Sequence, residues 1–320
     1  MTDKTFFMSE EIEEKLLKIP LLRNLVLIGK RIKFPVFKGL SLYDLIETYI
    51  VGIAKGAFSA RAGAIAFSFF MALFPFILFV LNLIPYVRIQ NFQEEFLRLI
   101  DELLPPQTAE FFQPILLDIA ANPRGSLLSF TLLLSIFLMA NGVNAIFSGF
   151  EYSFYVDKNR SVIRQYVIAL VVSVFLAFVL FVSVILLLLG QYVIHFLSDE
   201  GLMLDVVLWV SVLRYVSFFV LIYVIIATLY YFGTKESRKY RFFSVGAILT
   251  TLLFLVTTYL FGVYIENFSS YNELYGSIGA ILIMMLYIWI NSNLLLLGFE
   301  LNVTIYKLKG RKRKHSTFEE

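Results

Sequence analysis

Five stretches of this chain run for 24 residues or more without a charge. They lie between Arg61 and Arg88 (26 residues), Arg124 and Glu151 (26), Arg164 and Asp199 (34), Arg241 and Glu266 (24), and Glu273 and Glu300 (26). A sixth, from Val206 to Thr234, is broken only by Arg214. A helix needs about 20 apolar residues to cross a hydrocarbon core about 30 Å thick. Each window meets that length. The windows are apolar on all sides, unlike the alternating ten-residue strands of outer-membrane barrels. Lipid offers no partner for a free peptide group, so spans of this kind must be helices. The pattern predicts an all-α polytopic membrane protein with six transmembrane helices, at about 62–87, 125–150, 165–197, 206–232, 242–265 and 274–299. The third window exceeds one span, so its helix is expected to tilt or to project beyond the bilayer near Gln191 to Leu197.

Composition agrees: 59% of residues are hydrophobic and 16% charged, against roughly 45–50% and 25% in soluble domains. The basic residues set an orientation. With six spans both termini share a side, and that side carries 23 of the 27 Lys and Arg. Arg88, Arg98 and Arg124 fall on the other, and Arg214 inside a span. The positive-inside rule then places both termini in the cytoplasm. No cleavable leader is expected, because the first forty residues are charged and lack an apolar core. The chain divides into a cytoplasmic segment (1–40), a membrane domain (41–306) and a basic tail (307–320). Lys309, Arg311, Lys312, Arg313 and Lys314 in that tail suit anionic lipid rather than nucleic acid.

Two amphipathic pieces flank the first span. Ser41 to Phe58 opens on a Ser41/Asp44 pair resembling a capping box. Leu42, Leu45, Ile46, Tyr49 and Ile53 share a face, as in an N-terminal helix lying on the inner leaflet. In the loop between spans 1 and 2, Phe92, Phe96, Leu99 and Leu103 recur at helical spacing, opposite Glu94, Glu95, Arg98, Asp101 and Glu102. Pro105 and Pro106 end that extracytoplasmic helix, and a second is expected from Phe111 to Ala121.

Polar residues inside the spans are the candidate functional ones. Arg61, Ser68, Pro75 and Asn82 recur every seven residues, a slowly winding stripe on one helix face. Pro75 frees the carbonyl of Met71. Asn141, Asn144, Ser148 and Glu151 share a face of the second span, beside small residues Gly142, Ala145 and Gly149. The sixth span carries Asn291, Asn293 and, at its inner end, Glu300. These residues either line a hydrated pathway or pack helices together, since interhelical side-chain hydrogen bonds are common membrane glue. Arg61, Glu151 and Glu300 converge on the inner side, where Arg61 can pair with either carboxylate. Arg214, a charge within a span, is an outer-side candidate by default.

The stretches "ARAGAIAFSFFMALFPF", "NGVNAIFSGFEYSFYV" running into "KNRSVIRQYVIAL", and "YGSIGAILIMMLYIWINSNLLLLGFELN" resemble the YihY/BrkB family of bacterial inner-membrane proteins, over roughly Ser41 to Tyr306. The matching positions are Ala66, Pro75, Asn144, Arg160, Gly276, Gly279, Gly298, Glu300 and Asn302. Phe67 and Ser68 depart from the family's Ala-Tyr-like pair. The resemblance implies a six-helix bundle with cytoplasmic termini and an envelope-related role, with transport suspected. Some members once carried the label ribonuclease BN. The residues here do not suit that chemistry: His195 and His315 are the two histidines and fall on opposite sides, and no HxHxDH-like run or P-loop is present. The chain has no cysteine for thiolate chemistry. No cofactor or metal is expected, and no enzymatic activity. The expectation is a transporter or exporter of a lipid-like or anionic substrate. The alternative is a membrane scaffold for envelope assembly.

Overall fold

A computed structural model describes Tyr43 and residues 58–83, 92–103, 113–114, 117, 128–153, 156, 160–200, 205–237, 242–267 and 277–316. Seven helices account for nearly all of these: α1 (Phe58–Leu83), α2 (Phe92–Leu103), α3 (Leu128–Glu151), α4 (Val162–Asp199), α5 (Val206–Gly233), α6 (Val245–Asn267) and α7 (Ser277–Ser316). No strand occurs among the described residues. The expected interfacial helix, the segment 1–40 and most of the expected helix at 111–121 lie outside the described residues.

Among the described residues five helices are long and apolar enough to cross a membrane, within α3, α4, α5, α6 and α7. The protein is a polytopic all-α membrane protein. α1 is a continuous 26-residue helix running through Pro75. α7 continues for 40 residues into the basic tail, where Lys, Arg and Leu favour helix and no proline interrupts.

The six long helices close into a ring in chain order. α1 packs on α3, α3 on α4, α4 on α5, α5 on α6, α6 on α7, and α7 returns to α1. Burying apolar side chains contributes little to such association, because lipid tails are as apolar as leucine; close packing and hydrogen bonds must hold the ring. The α6–α7 seam shows how. Gly246 and Gly298 bring the two backbones so close that a Cβ on either would strike the other's carbonyl. Asn302 of α7 then reaches α6: its Oδ1 accepts from the Gly246 amide at 2.8 Å, and its Nδ2 donates to Ser244 Oγ at 2.9 Å. A side chain of one helix thereby satisfies a first-turn amide of the next.

α4 has 38 residues, about 57 Å at 1.5 Å per residue, well beyond one bilayer core. Its far end carries α2. Phe92, Phe96, Leu99 and Ile100 of α2 are buried against Leu180 and Val184 of α4, Leu221 of α5 and Met284 of α7. Gln191 Nε2 of α4 donates to Glu95 Oε1 of α2 at 3.2 Å. α2 therefore lies across one end of the ring, its apolar face turned to the interior. Glu94 and Glu95 in its first turn suit the helix dipole.

Candidate functional site

The end of the ring away from α2 is closed by a buried ion pair. Arg61 of α1 donates from Nη2 to Glu300 Oε1 of α7 at 3.0 Å. Its Nη1 donates to the Tyr152 carbonyl at 3.2 Å, and its guanidinium lies over the Phe58 ring. Ser153 Oγ donates to Glu300 Oε2 at 2.7 Å. Both oxygens of Glu300, whose side chain is 0% exposed, are thus occupied. The sequence allowed Arg61 either carboxylate; the structure pairs it with Glu300. Glu151 instead accepts from the Arg160 amide at 3.3 Å. Arg160 Nη1 donates to the Phe232 carbonyl at 2.7 Å, capping the last turn of α5.

Directly behind the ion pair lies an aromatic layer. Phe150 stacks on Phe299 with centroids 4.2 Å apart, and Tyr230 meets both rings edge-on. Tyr230 Oη donates to the Leu295 carbonyl at 2.7 Å and lies 2.7 Å from Thr250 Oγ1.

Beyond that layer, at the centre of the ring, is a cavity of about 280 Å³ lined by all seven helices. Its wall is nearly all aliphatic and aromatic. α1 contributes Ile65, Phe69, Ala72 and Leu73; α2 contributes Ile100 from the capped end. Phe69, 43% exposed, stands in the wall beside buried Ile65 and Ala72. The polar side chains in the wall are Ser173, Thr250, Tyr287, Asn291 and Ser292.

The sequence candidates divide between this wall and the seams around it. Asn291 lines the cavity. Ser68, Pro75, Asn141, Asn144, Asn293 and Arg214 are not in its wall. The reason lies in helix geometry: the stripe through Arg61, Ser68 and Pro75 is rotated from the face of Ile65, Phe69 and Ala72 that meets the cavity. The Ser68 carbonyl faces Gly142 of α3 instead. Asn144 sits in the α3–α4 seam, where Gln165 Nε2 donates to Asn144 Oδ1 at 3.1 Å and to Ser148 Oγ at 2.8 Å. Asn293 Nδ2 donates to the Trp289 carbonyl of its own helix at 2.7 Å. Arg214 is half-buried on α5. The side chains of Asn82 and of Lys309, Arg311, Lys312, Arg313 and Lys314 lie outside the described residues. Among the described residues no three of His, Cys, Asp or Glu gather as metal ligands do.

Sequence reading missed Ser153, Gln165 and Tyr230. Gln165 carried a signal, an amide at the first turn of an otherwise apolar span. Ser153 carried none, because its role depends on the turn after α3 folding back over α7.

A family model for virulence factor BrkB matches residues 51–319. YfkH of Bacillus subtilis (strain 168), a protein described as ribonuclease-like, is 28% identical over 254 residues, covering 78% of this chain and 90% of that protein. A UPF0761 membrane protein of Coxiella burnetii (strain Dugway 5J108-111) is 25% identical over 245 residues, covering 74% of this chain and 84% of its own. Another, from Psychrobacter sp. (strain PRwf-1), is 32% identical over 114 residues, a fifth of that protein. No solved structure matches. The six-helix ring, its buried ion pair and a family match running from before α1 to the end of the tail make this chain a member of the virulence factor BrkB family.

Proposed function

We propose that the protein is a transporter or exporter of a lipid-like substrate, held in the central cavity, in the bacterial cytoplasmic membrane. One observation carries this reading: a nearly apolar cavity, partly open to the outside, is lined by every one of the seven helices. Helices that only needed to pack would fill that space, since voids forfeit contacts with surrounding atoms. All six long helices cross the membrane in this reading, α1 included. Both termini and the Arg61–Glu300 pair lie on the cytoplasmic side, as the basic residues suggest. The ion pair and aromatic layer form the inner closure, and α2 the outer one. The basic tail rests against anionic lipid. The protein moves its substrate and does no covalent chemistry on it. Among the described residues no Lys, Arg, Asp or Glu lines the cavity, so the apolar part of a substrate is what this wall suits.

A second reading is favoured by the Gln165–Asn144–Ser148 cluster, which uses span asparagine as glue. In it the protein is a scaffold for envelope assembly. Reconstitution into vesicles of phosphatidylethanolamine and phosphatidylglycerol separates the two. A lipid bearing a fluorescent acyl chain should change leaflet faster with protein present, with or without an imposed proton gradient. The cavity-filling variant Leu176→Trp should slow that movement about tenfold or more while leaving the fold intact. Correctly inserted protein that moves no lipid under either condition would put the scaffold reading ahead.

A further inference from the structure

Four of the five polar side chains in the cavity wall have their hydrogens committed. Ser173 Oγ donates to the Leu170 carbonyl at 2.9 Å, and Ser292 Oγ to the Ile288 carbonyl at 2.8 Å. Thr250 shares a hydrogen bond with Tyr230, and Tyr287 shares one with Thr258, each at 2.7 Å. These groups are tied to the helices that carry them or to a neighbour.

Asn291 differs. It is 8% exposed and lines the cavity. Its Nδ2 donates to the Tyr287 carbonyl one turn earlier at 3.0 Å. That bond fixes which end of the amide is the donor. The other end, Oδ1, is buried and has no hydrogen-bond partner among the described residues. Buried polar atoms are normally satisfied, and each exception calls for a reason. A water on Oδ1 would find its remaining partners only among the lone pairs of the wall's few Ser, Thr and Tyr oxygens, in surroundings otherwise apolar. An apolar ligand with no donor would leave Oδ1 as it is. A donor placed on an apolar body would satisfy it.

We propose that Asn291 Oδ1 is the recognition contact of a binding site for an apolar molecule bearing one hydrogen-bond donor, a hydroxyl or an amide N–H on an alkyl body. The site suits an uncharged group, since no charged side chain lines it among the described residues. Its 280 Å³ lies near the lower end of small-molecule pockets, about 300–1,000 Å³, and suits a medium-chain alcohol or one segment of a longer chain. Discrimination follows from the amide: a site built to accept a hydrogen bond disfavours the analogue that lacks the donor. This inference rests on the reading of the cavity as the substrate site and names the substrate class.

The test uses full-length protein in vesicles of phosphatidylethanolamine and phosphatidylglycerol. Two photoreactive probes are compared: a ten-carbon alkyl diazirine and the same molecule ending in a hydroxyl. Crosslinks are mapped to peptides of α3, α4 and α7. The wild type should favour the alcohol over the alkane at cavity residues by about three- to tenfold. Asn291→Leu should abolish that preference and keep alkane labelling. Ser292→Ala, beside it, should retain the preference. Asn291→Ala serves if the leucine variant does not insert. Equal labelling by both probes in the wild type, or a preference that survives loss of Asn291, would overturn the proposal and leave the apolar cavity standing. Failure of both probes to reach cavity residues would sink the proposal together with the substrate-site reading beneath it.

Discussion

At the Arg61 end of the ring, charge is buried and every partner is close: Glu300 accepts from Arg61 at 3.0 Å and from Ser153 at 2.7 Å, and stacked rings lie directly behind. Three turns along α7 the interior holds open space, a nearly apolar wall and one amide oxygen without a partner among the described residues. The polar region is the closed one and the open region is the apolar one. A water-filled pathway would have the reverse arrangement, with polar groups facing the void. The difference teaches that polarity in these spans serves to seal and to join helices, and that the cavity suits something other than an ion or a sugar.

The comparison breaks most readily at Glu300. Glu300→Ala leaves Arg61 buried without its carboxylate, and losing one partner of a buried pair costs about 3–5 kcal/mol. The expected result is a large loss of thermal stability in detergent micelles. A loss below about 1 kcal/mol, the value of an exposed pair, would mean that water reaches that end.

Gly298→Val comes next. The new side chain would meet Thr250 and the Tyr230 hydroxyl, and overpacking of this kind costs about 1–3 kcal/mol. It should also separate α6 from α7, so a crosslink between cysteines placed at Ser244 and Asn302, whose side chains touch in the wild type, should weaken. An unchanged crosslink would show that the seam adjusts elsewhere.

These two positions also show what was legible beforehand. Gly298, Glu300 and Asn302 stand out in the sequence, because glycine, carboxylate and amide are conspicuous in an apolar run. The long helices were legible for the same reason, since each contains a charge-free or nearly charge-free window, although α7 runs on to Ser316, well past the window that closes at Glu300. The direction each polar face turns was not. Ser68 and Phe69 are adjacent in sequence and differ by one helical step, yet Phe69 stands in the cavity wall and Ser68 does not. That choice is set by which neighbours close the ring, a long-range fact that no single helix carries. The cavity itself was illegible, since its wall is made of the same Ile, Leu and Phe that face lipid elsewhere.

Asn144→Ala sharpens the comparison from the seam side. It removes the acceptor of Gln165 Nε2 but leaves Ser148. Interhelical bonds of this kind average about 0.6 kcal/mol and reach about 1.7, so a small stability loss and unchanged probe labelling are expected. A loss of labelling would tie the seam to the cavity.

Asn293→Ala is the smallest change. Its amide bonds within its own helix at an exposed position, and the expected effect lies within about 0.5 kcal/mol. Unfolding in mixed micelles would detect anything larger and would assign Asn293 a partner outside α7.

The central claim is that the interior is dry. The chain has no cysteine, so single thiols can be placed at Ser173→Cys in the cavity wall and Asn144→Cys in the seam, with Ser316→Cys in the tail as the control. Permeabilised membranes are then treated with a charged, membrane-impermeant maleimide. The account predicts labelling at 316 and silence at 144 and 173, in protein that inserts and folds. Labelling at 144 or 173 at a rate near that of the control would contradict it and would mean that water fills the ring.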